Sequence, residues 1–286
     1  MQVRLRREGD ISYCRRDNRI MLARQGRRLA SALNSLRVAA HNFPCPGKKN
    51  PKGEDAHFFS PLAMAVADGV GGWAEVGVDP SLYANELMKG VGAGLNSLSE
   101  SERGEPMSVL KFAAGKCASV GSSTCSLFLL DPSKPLARTA NIGDSGYVVY
   151  RPLPDSRVHV VGKSEEVLHG FNFPFQLGTN GDDPSKAKVL SHDLENGDLV
   201  VMFTDGFCDN VHEAQALALV THFVGQKGGK IEELAESLAK KALEQSRNRR
   251  FASPFSLRAG KEGFYHLGGK EDDITVLVGE VSLAKP

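Results

Sequence analysis

Two aspartates stand in the same local setting, after an apolar run and before a glycine. Asp68 follows the run Ala63–Ala67, and Asp205 follows Leu199–Thr204. Aspartate is rare inside strands and costly to bury unpaired, so at a strand end it can be held rigidly at the rim of a sheet. The glycine lets the chain turn sharply and bring backbone carbonyls close to a bound ion. One such aspartate is usually only a turn, but two of them indicate a site.

Two pairs of adjacent acids add further oxygen ligands. Glu54-Asp55 and Asp272-Asp273 each precede a predicted strand. Neighbouring carboxylates repel each other unless a positive charge lies between them, although each pair alone is typical of a solvated turn. Carboxylates without His or Cys suit a hard cation such as Mg²⁺ or Mn²⁺ rather than zinc. Two such ions can share a hydroxide nucleophile and neutralise a phosphate.

The elements that must hold these acids are predicted from apolar patterns and end signals. We predict strands at Leu36–Ala40, Ala56–Phe59, Leu62–Ala67, Thr124–Leu130, Leu136–Asn141, Gly146–Arg151, Asp198–Thr204 and Ile274–Val281. We predict helices at Pro80–Asn96 with Asp79 as N-cap, at Pro106–Ser119, at 212–224 and at 231–246. Residues 152–185 are rich in Gly and Pro, so we expect them to be irregular. Consecutive strands favour an α+β fold of mostly antiparallel sheets with helices outside.

The composition is that of an ordinary globular protein. The chain has 286 residues, 41% of them hydrophobic and 24% charged, enough for one large domain or two small ones. The apolar runs have the length of strands, and none approaches the ~20 residues that a membrane helix needs. The five cysteines share no CxxC spacing, which disfavours a disulfide framework or a zinc site.

The charge is divided unevenly along the chain. The first 53 residues carry a net charge of +10, which leaves −9 for the rest of a chain whose total is +1. In 18–36, apolar residues alternate with arginines, a pattern typical of an amphipathic organelle transit peptide, although the acids at 8, 10 and 17 weaken it. A solvated basic tail and an RNA-binding arm are the alternatives. We therefore divide the chain into a basic extension, 1–34, and a folded domain, 35–286.

Six motifs resemble the protein phosphatase 2C family of metal-dependent serine/threonine phosphatases, in order and spacing across residues 36–282. They are Gly53–Asp55 (GED), Ala67–Trp73 (ADGVGGW), Gly121–Thr124 (GSST), Ala140–Gly146 (ANIGDSG), Thr204–Asn210 (TDGFCDN) and Asp272–Val276 (DDITV). Asp68–Pro80 and Ser253–Phe255 resemble the mitochondrial and plastid branch, which carries transit peptides. The resemblance implies a four-layer α-β-β-α sandwich of two mostly antiparallel sheets flanked by helices, with a two-metal cleft at one end.

The resemblance also implies roles for individual residues. Asp68 would bridge two Mg²⁺ or Mn²⁺ ions, and the Gly69 carbonyl would complete one of the two sites. Asp205 and Asp272 would hold the other ion, while Glu54 would bind a metal-coordinated water. These residues are the implied metal ligands, with Asp68 and Asp205 also central to catalysis.

Further positions carry weaker expectations. Asp144 matches a family position that helps Asp205 to hold a weaker third ion, or it only forms a turn between strands. Asp209 is expected to cap or brace the loop after Asp205. His169 and Arg258 lie in segments characteristic of the organelle branch and either reach the cleft or remain on the surface.

Two departures from the family pattern affect the chemistry. Many members have His after the first Asp-Gly, where this chain has Val70, so the usual proton donor is missing. His169 is our candidate to replace it, and a metal-bound water is the alternative donor. Many members also have Arg four residues before the Glu, gripping the substrate phosphate, where this chain has Asn50. The residues close enough to substitute for that Arg are Lys48, Lys49 and Lys52, which could equally form a solvated loop.

The predicted activity is hydrolysis of phosphoserine and phosphothreonine in phosphoprotein substrates by a hydroxide that two ions activate. The alternative is a catalytically weak pseudophosphatase that only binds phosphoproteins. The absence of His at position 70 and of Arg at position 50 favours this alternative, whereas the complete set of acidic ligands opposes it. An aspartyl-nucleophile phosphotransferase would need a second Asp two residues after Asp68 or Asp205, and neither has one. We expect a monomer in the mitochondrion, or alternatively in a plastid or the cytoplasm, without nucleic acid or a membrane span.

Overall fold

The computed structural model describes residues 33–48, 50–226 and 228–284. The predicted basic extension lies almost entirely outside these residues. The strands are β1 Ser35–Phe43, β2 Asp55–Ser60, β3 Ala63–Asp68, β4 Ser122–Ser123, β5 Cys125–Leu130, β6 Leu136–Ile142, β7 Gly146–Pro152, β8 Val158–Lys163, β9 Leu168–Gly170, β10 Phe173–Pro174, β11 Leu177–Gly178, β12 Lys188–Asp193, β13 Leu199–Phe203 and β14 Ile274–Ser282. The helices are α1 Pro80–Ser97, α2 Glu100–Arg103, α3 Pro106–Ala114, α4 Asp205–Cys208, α5 Glu213–Gly225, α6 Ile231–Ser246 and α7 Pro254–Lys261.

Two antiparallel five-stranded sheets form the middle of the fold. Sheet I has the order β1-β14-β13-β7-β8, and sheet II has the order β12-β6-β5-β3-β2. Met64 and Val66 of sheet II pack with Met202 and Leu277 of sheet I in the core between the sheets. Helices α5 and α6 cover the outer face of sheet I, and α1 and α3 cover that of sheet II. The predicted four-layer α-β-β-α sandwich is confirmed.

The central strands were predictable because both of their faces are buried. In β3 the residues on one face belong to the core between the sheets, and those on the other face pack under α1. A strand buried on both faces is apolar at nearly every position, which produces a run such as Ala63–Ala67. Helix α1 begins as predicted, because the Asp79 side chain accepts a hydrogen bond from Ser81 N (3.0 Å) and Pro80 occupies the first turn.

Two predictions about elements were wrong, and some elements were not predicted. Residues 152–185 are not irregular throughout, since they contain β8, the β9–β10 pair and β11, which pairs with β4. The helix predicted to Ser119 ends at Ala114, where Gly115 takes the C-cap. The sequence analysis also omitted β12 and α7. Strands β8 and β12 lie at sheet edges and are largely exposed, so they lack the apolar run that marked the central strands.

The register of the strands brings the predicted acids to one end of both sheets. Asp55 at the start of β2 lies directly opposite Asp68 at the end of β3. Phe203, the last residue of β13, pairs with both Gly146 and Val276. The chain segments with Asp144, Asp205 and Asp272 therefore leave or enter sheet I beside each other. Within the described residues, no helix is both long and apolar enough to cross a membrane.

Candidate metal centre

Asp68, Asp205 and Asp144 bring their carboxyl groups into one buried space. Burial, followed by the negative charges of Asp205 and Asp55, raises the pKa of Asp68 well above its usual range. Burial and the charge of Asp205 likewise raise the pKa of Asp144 to about 8. In both cases the protein disfavours the ionised form. The space therefore holds more negative charge than its surroundings neutralise.

Lys270 supplies one of the positive charges in this space, and the sequence analysis missed it. Its Nζ lies 2.5 Å from Asp205 Oδ2, 2.8 Å from Asp209 Oδ2 and 3.4 Å from Asp272 Oδ2. Burial alone would raise the pKa of Asp205, but the Lys270 ammonium outweighs it and holds this pKa below its usual value. The only sequence signal was a lysine two residues before an acidic pair.

Lys48 supplies a second positive charge on the opposite side of Asp272. Its Nζ lies 2.8 Å from each of Glu54 Oε2, Asp272 Oδ1 and Asp273 Oδ2. Burial opposes its charge, but these carboxylates dominate and raise the pKa of Lys48. Lys48 is therefore held among the acids rather than lying in a solvated loop.

The other positions considered for gripping a phosphate differ from Lys48. Asn50 donates its side-chain amide to Ser81 Oγ (2.8 Å) at the start of α1. Lys52 is exposed, and Lys49 lies outside the described residues. Val70 donates its backbone N–H to Ser122 O (3.0 Å) and offers no side-chain proton.

Asp273 and Asp55, which the sequence suggested only as members of two acidic pairs, position the candidate ligands. The Asp273 carboxylate accepts hydrogen bonds from Cys45 N (2.6 Å) and Glu54 N (2.8 Å), and its side chain is 1% exposed. Asp55 Oδ2 accepts hydrogen bonds from the hydroxyl groups of Thr204 (2.8 Å) and Thr275 (2.7 Å), which tie β2 to the ends of β13 and β14. Both aspartates connect segments that are distant in sequence.

The two glycines that follow the site aspartates are required by close packing. A Cβ at Gly69 would lie 2.5 Å from Pro80 O, and a Cβ at Gly206 would lie 1.9 Å from Asp273 O. Both contacts are with backbone atoms, so neither can be relieved by moving a flexible side chain. The glycines thus let neighbouring backbone segments approach next to Asp68 and Asp205.

The donors fit a divalent cation in type and charge. They are carboxylate oxygens, which Mg²⁺ and Mn²⁺ prefer. Asp205 Oδ1 is buried and receives no hydrogen bond from an N–H or hydroxyl group of the described residues, and the carboxyl group of Asp68 lies beside it. No three acidic, His or Cys side chains in the described part of the chain surround one point closely enough to hold an ion unaided. The ammonium groups of Lys48 and Lys270 lie between these carboxylates.

His169 and Arg258 line a cavity of about 320 Å³ beside Asp144. The His169 ring stacks on Phe175 at 3.8 Å, and its Nε2 lies 3.0 Å from the Asp182 carboxylate. Arg258 pairs with Glu166 and with Asp209. Asp209 does brace the loop after Asp205, since its backbone N–H bonds Asp205 O (2.8 Å), but its side chain links Arg258 to Lys270.

Comparison with known proteins places this arrangement in a family. The model of a family described as Stage II sporulation protein E (SpoIIE) matches residues 62–282. The chain is 36% identical over 265 residues to the Drosophila ananassae "Protein phosphatase PTC7 homolog fig", covering 85% of this chain and 78% of that protein. The chain belongs to the protein phosphatase 2C family. This is a family of serine/threonine protein phosphatases that depend on Mg²⁺ or Mn²⁺.

Other protein phosphatase 2C relatives cover the same part of the chain. It is 37% identical over 249 residues to the Arabidopsis thaliana "Probable protein phosphatase 2C 55", covering 85% of this chain but only 51% of that protein. This chain therefore spans about half the length of that relative. Neither relative's name supports a pseudophosphatase.

Solved structures agree with the observed fold. The photosystem II phosphatase PBCP has a TM-score of 0.77 at 31% identity, over 86% of this chain and 99% of that one. The catalytic domain of the phosphatase PstP, solved with two manganese ions, has a TM-score of 0.57 at 18% identity, over 87% and 99%. The second likeness concerns the fold alone.

Proposed function

We propose that this chain is a metal-dependent phosphatase that hydrolyses phosphoserine and phosphothreonine in proteins. The observation that carries the proposal is the excess of carboxylates over positive charges at the end of the sheets. Eight carboxylates in the described residues meet there against three cationic side chains. The acids are Glu54, Asp55, Asp68, Asp144, Asp205, Asp209, Asp272 and Asp273, and the cations are Lys48, Arg258 and Lys270.

Within this proposal, the acids and one carbonyl group would hold the ions. Asp68 would be a ligand of both Mg²⁺ or Mn²⁺ ions, the Gly69 carbonyl would complete one site, and Asp205 and Asp272 would hold the other ion. Glu54 orients a water, and its backbone is fixed for this task by the Asp273 carboxylate. When bound, the ions lower the pKa of a nucleophilic water and neutralise the phosphate.

Asp144 is the proposed ligand of a weaker third ion, shared with Asp205. Its raised pKa of about 8 means that near neutral pH a cation must displace a proton from this carboxyl. The binding of such an ion would therefore release protons and would weaken as the pH falls.

Loss of one ligand charge should remove the activity without unfolding the protein. We expect Asp205→Asn and Asp68→Asn to abolish nearly all Mn²⁺-dependent release of phosphate from a phosphoserine peptide. Asp155→Asn is the matched control, because the Asp155 side chain is exposed and its one partner among the described residues is Arg157. Folding of each variant is checked by circular dichroism. Full activity of folded Asp205→Asn would refute the assignment.

We propose His169 as the proton donor to the departing serine or threonine oxygen. Its support is the cavity that it shares with Asp144, together with the ring orientation that Asp182 and Phe175 impose. General acid catalysis contributes ~10²–10⁴-fold, and aryl phosphates need it least because their leaving groups are acidic.

We therefore expect His169→Gln to slow phosphopeptide hydrolysis at least about 100-fold and aryl phosphate hydrolysis far less. His222→Gln on α5 is the matched control, because within 33–48, 50–226 and 228–284 the His222 ring bonds only Gln226, at the end of its own helix. Equal effects of His169→Gln on both substrates would assign His169 to structure and leave water as the donor.

We also propose that residues 1–34 are a transit extension, that 35–286 are the catalytic domain, and that the protein is a mitochondrial monomer. The arginine-rich composition of the extension supports the first point. A C-terminally tagged full-length chain should appear in mitochondria as a shorter species, with the plastid and cytoplasm as alternatives. An uncleaved chain in the cytosol would instead identify the extension as a solvated tail. Light scattering of the purified protein should give the mass of one chain.

A further inference from the structure

Lys270 is held in place by contacts on both its backbone and its side chain. Asn210 is buried and accepts a hydrogen bond from Lys270 N (2.9 Å) while its amide donates to Lys270 O (2.8 Å). The ammonium lies 5.1 Å from the centre of the Phe255 ring. This two-way bond fixes the backbone of Lys270, so its side chain is aimed at the acids by the fold rather than by chance.

The carboxylate oxygens that Lys270 contacts belong to the proposed metal ligands. Its ammonium engages one oxygen of Asp205 and one of Asp272, the two residues assigned to the same ion. An ammonium and a divalent cation repel each other strongly when they share a carboxylate in a poorly solvated space. A metal ion bound by these oxygens must therefore weaken or replace the contacts with Lys270.

Asp209 gives the ammonium a position to which it can withdraw. Its Oδ2 lies 2.8 Å from Lys270 Nζ, and Asp209 is not among the proposed ligands. The face of the Phe255 ring also attracts the ammonium. Lys270 can thus release Asp205 and Asp272 while it keeps a charged partner. Lys48 likewise keeps a partner outside the proposed ligands, Asp273, but of the two residues assigned to this ion it contacts Asp272 and not Asp205.

We propose that Lys270 is a built-in cation that competes with the divalent ion for Asp205 and Asp272 and so sets the metal affinity of the site. Without metal, it neutralises these carboxylates and stabilises the fold. With metal, it moves toward Asp209. This inference rests on the proposed metal-dependent function, since it concerns the same ligands.

The test is calorimetric titration of the metal-free full-length protein with Mn²⁺. Lys270→Met removes the charge at similar volume, and we expect its Kd for Mn²⁺ to fall by about tenfold or more, because one positive charge leaves contact with the ligands. Lys270→Arg keeps the charge and should bind within about threefold of wild type. Lys163→Met is the control, because Lys163 is an exposed lysine whose ammonium pairs with Glu213, which is not a proposed ligand.

Thermal unfolding provides a second readout that a purely structural role would not reproduce. Metal-free Lys270→Met should melt below wild type, and saturating Mn²⁺ should raise its melting temperature by more than it raises that of wild type. Lys270→Gln is a second neutral variant, in case the methionine variant does not fold. Equal or weaker Mn²⁺ binding by a folded neutral variant would overturn the role of Lys270. Failure of wild type itself to bind Mn²⁺ would instead overturn the proposed function.

Discussion

Removal of the Asp273 carboxylate should destabilise the protein by about 3 kcal/mol. Asp273→Ala takes the acceptor from two backbone donors, the part-buried Cys45 N and the buried Glu54 N, and one partner from Lys48. A hydrogen bond to a charged group contributes about 1.5–3 kcal/mol, so the two backbone bonds together contribute about 3–6 kcal/mol. Relief of the repulsion between Asp273 and Asp55 returns about 1 kcal/mol. The lower part of the resulting range is expected because Lys48 keeps Glu54 and Asp272 as partners.

The assay is urea unfolding at constant pH without metal, followed by circular dichroism. Asp273→Asn retains one acceptor oxygen and should lose about half as much stability as Asp273→Ala. In thermal unfolding, the melting temperature changes by about 2–4 °C per kcal/mol of stability, so Asp273→Ala should melt about 6–12 °C below wild type. Wild-type stability of Asp273→Ala, or a larger loss in Asp273→Asn than in Asp273→Ala, would refute the argument that this carboxylate anchors the segment with Glu54.

Three further predictions follow from other contacts. Burial lowers the pKa of His192, so the unfolded state binds a proton on this ring more readily than the folded state. The free energy of unfolding should therefore fall as the pH drops below about 6.5. His192→Gln should reduce this pH dependence, measured by urea unfolding at several pH values. Gly206→Ala should lower the free energy of unfolding by more than about 3 kcal/mol or prevent folding, because its Cβ would lie 1.9 Å from Asp273 O. Gly260→Ala in α7 is the control, because its Cβ would meet open space and should stabilise the protein by up to about 1 kcal/mol. Asp144→Asn should lower kcat less than Asp205→Asn, and an equal loss would contradict the weaker third ion.

The aspartates at the ends of buried strands were predictable because their local sequence carries the signal. Asp68 and Asp205 follow runs buried on both faces, and the glycines after them are required by close packing. The central strands were predictable from these continuous apolar runs. Helix α1 was predictable from its Asp79-Pro80 start, and α6 from the apolar residues on one of its faces. The local sequence thus determines which strand or helix forms and at which end of it a polar residue lies.

The contacts that tune the site were not predictable, because they join residues far apart in sequence. Lys270 meets Asp205 across 65 residues, and Asp273 meets Cys45 across 228. From the sequence alone, a lysine beside acidic residues in a buried site cannot be distinguished from one on a solvated surface. The exposed edge strand β12 was not predicted for a related reason, because little of its surface is buried and its apolar pattern is weak.

The most direct test of the proposed metal centre is to locate Mn²⁺ in crystals by anomalous scattering. We expect peaks at the end of the two sheets, bounded by Asp68, Asp205 and Asp272, and loss of the peak nearest Asp205 in crystals of Asp205→Asn. We also expect Lys270 Nζ to lie farther from Asp205 in the manganese-bound crystals than the present 2.5 Å. A protein that is active on phosphoserine and yet shows no manganese peak among these carboxylates at saturating Mn²⁺ would contradict the proposed metal centre.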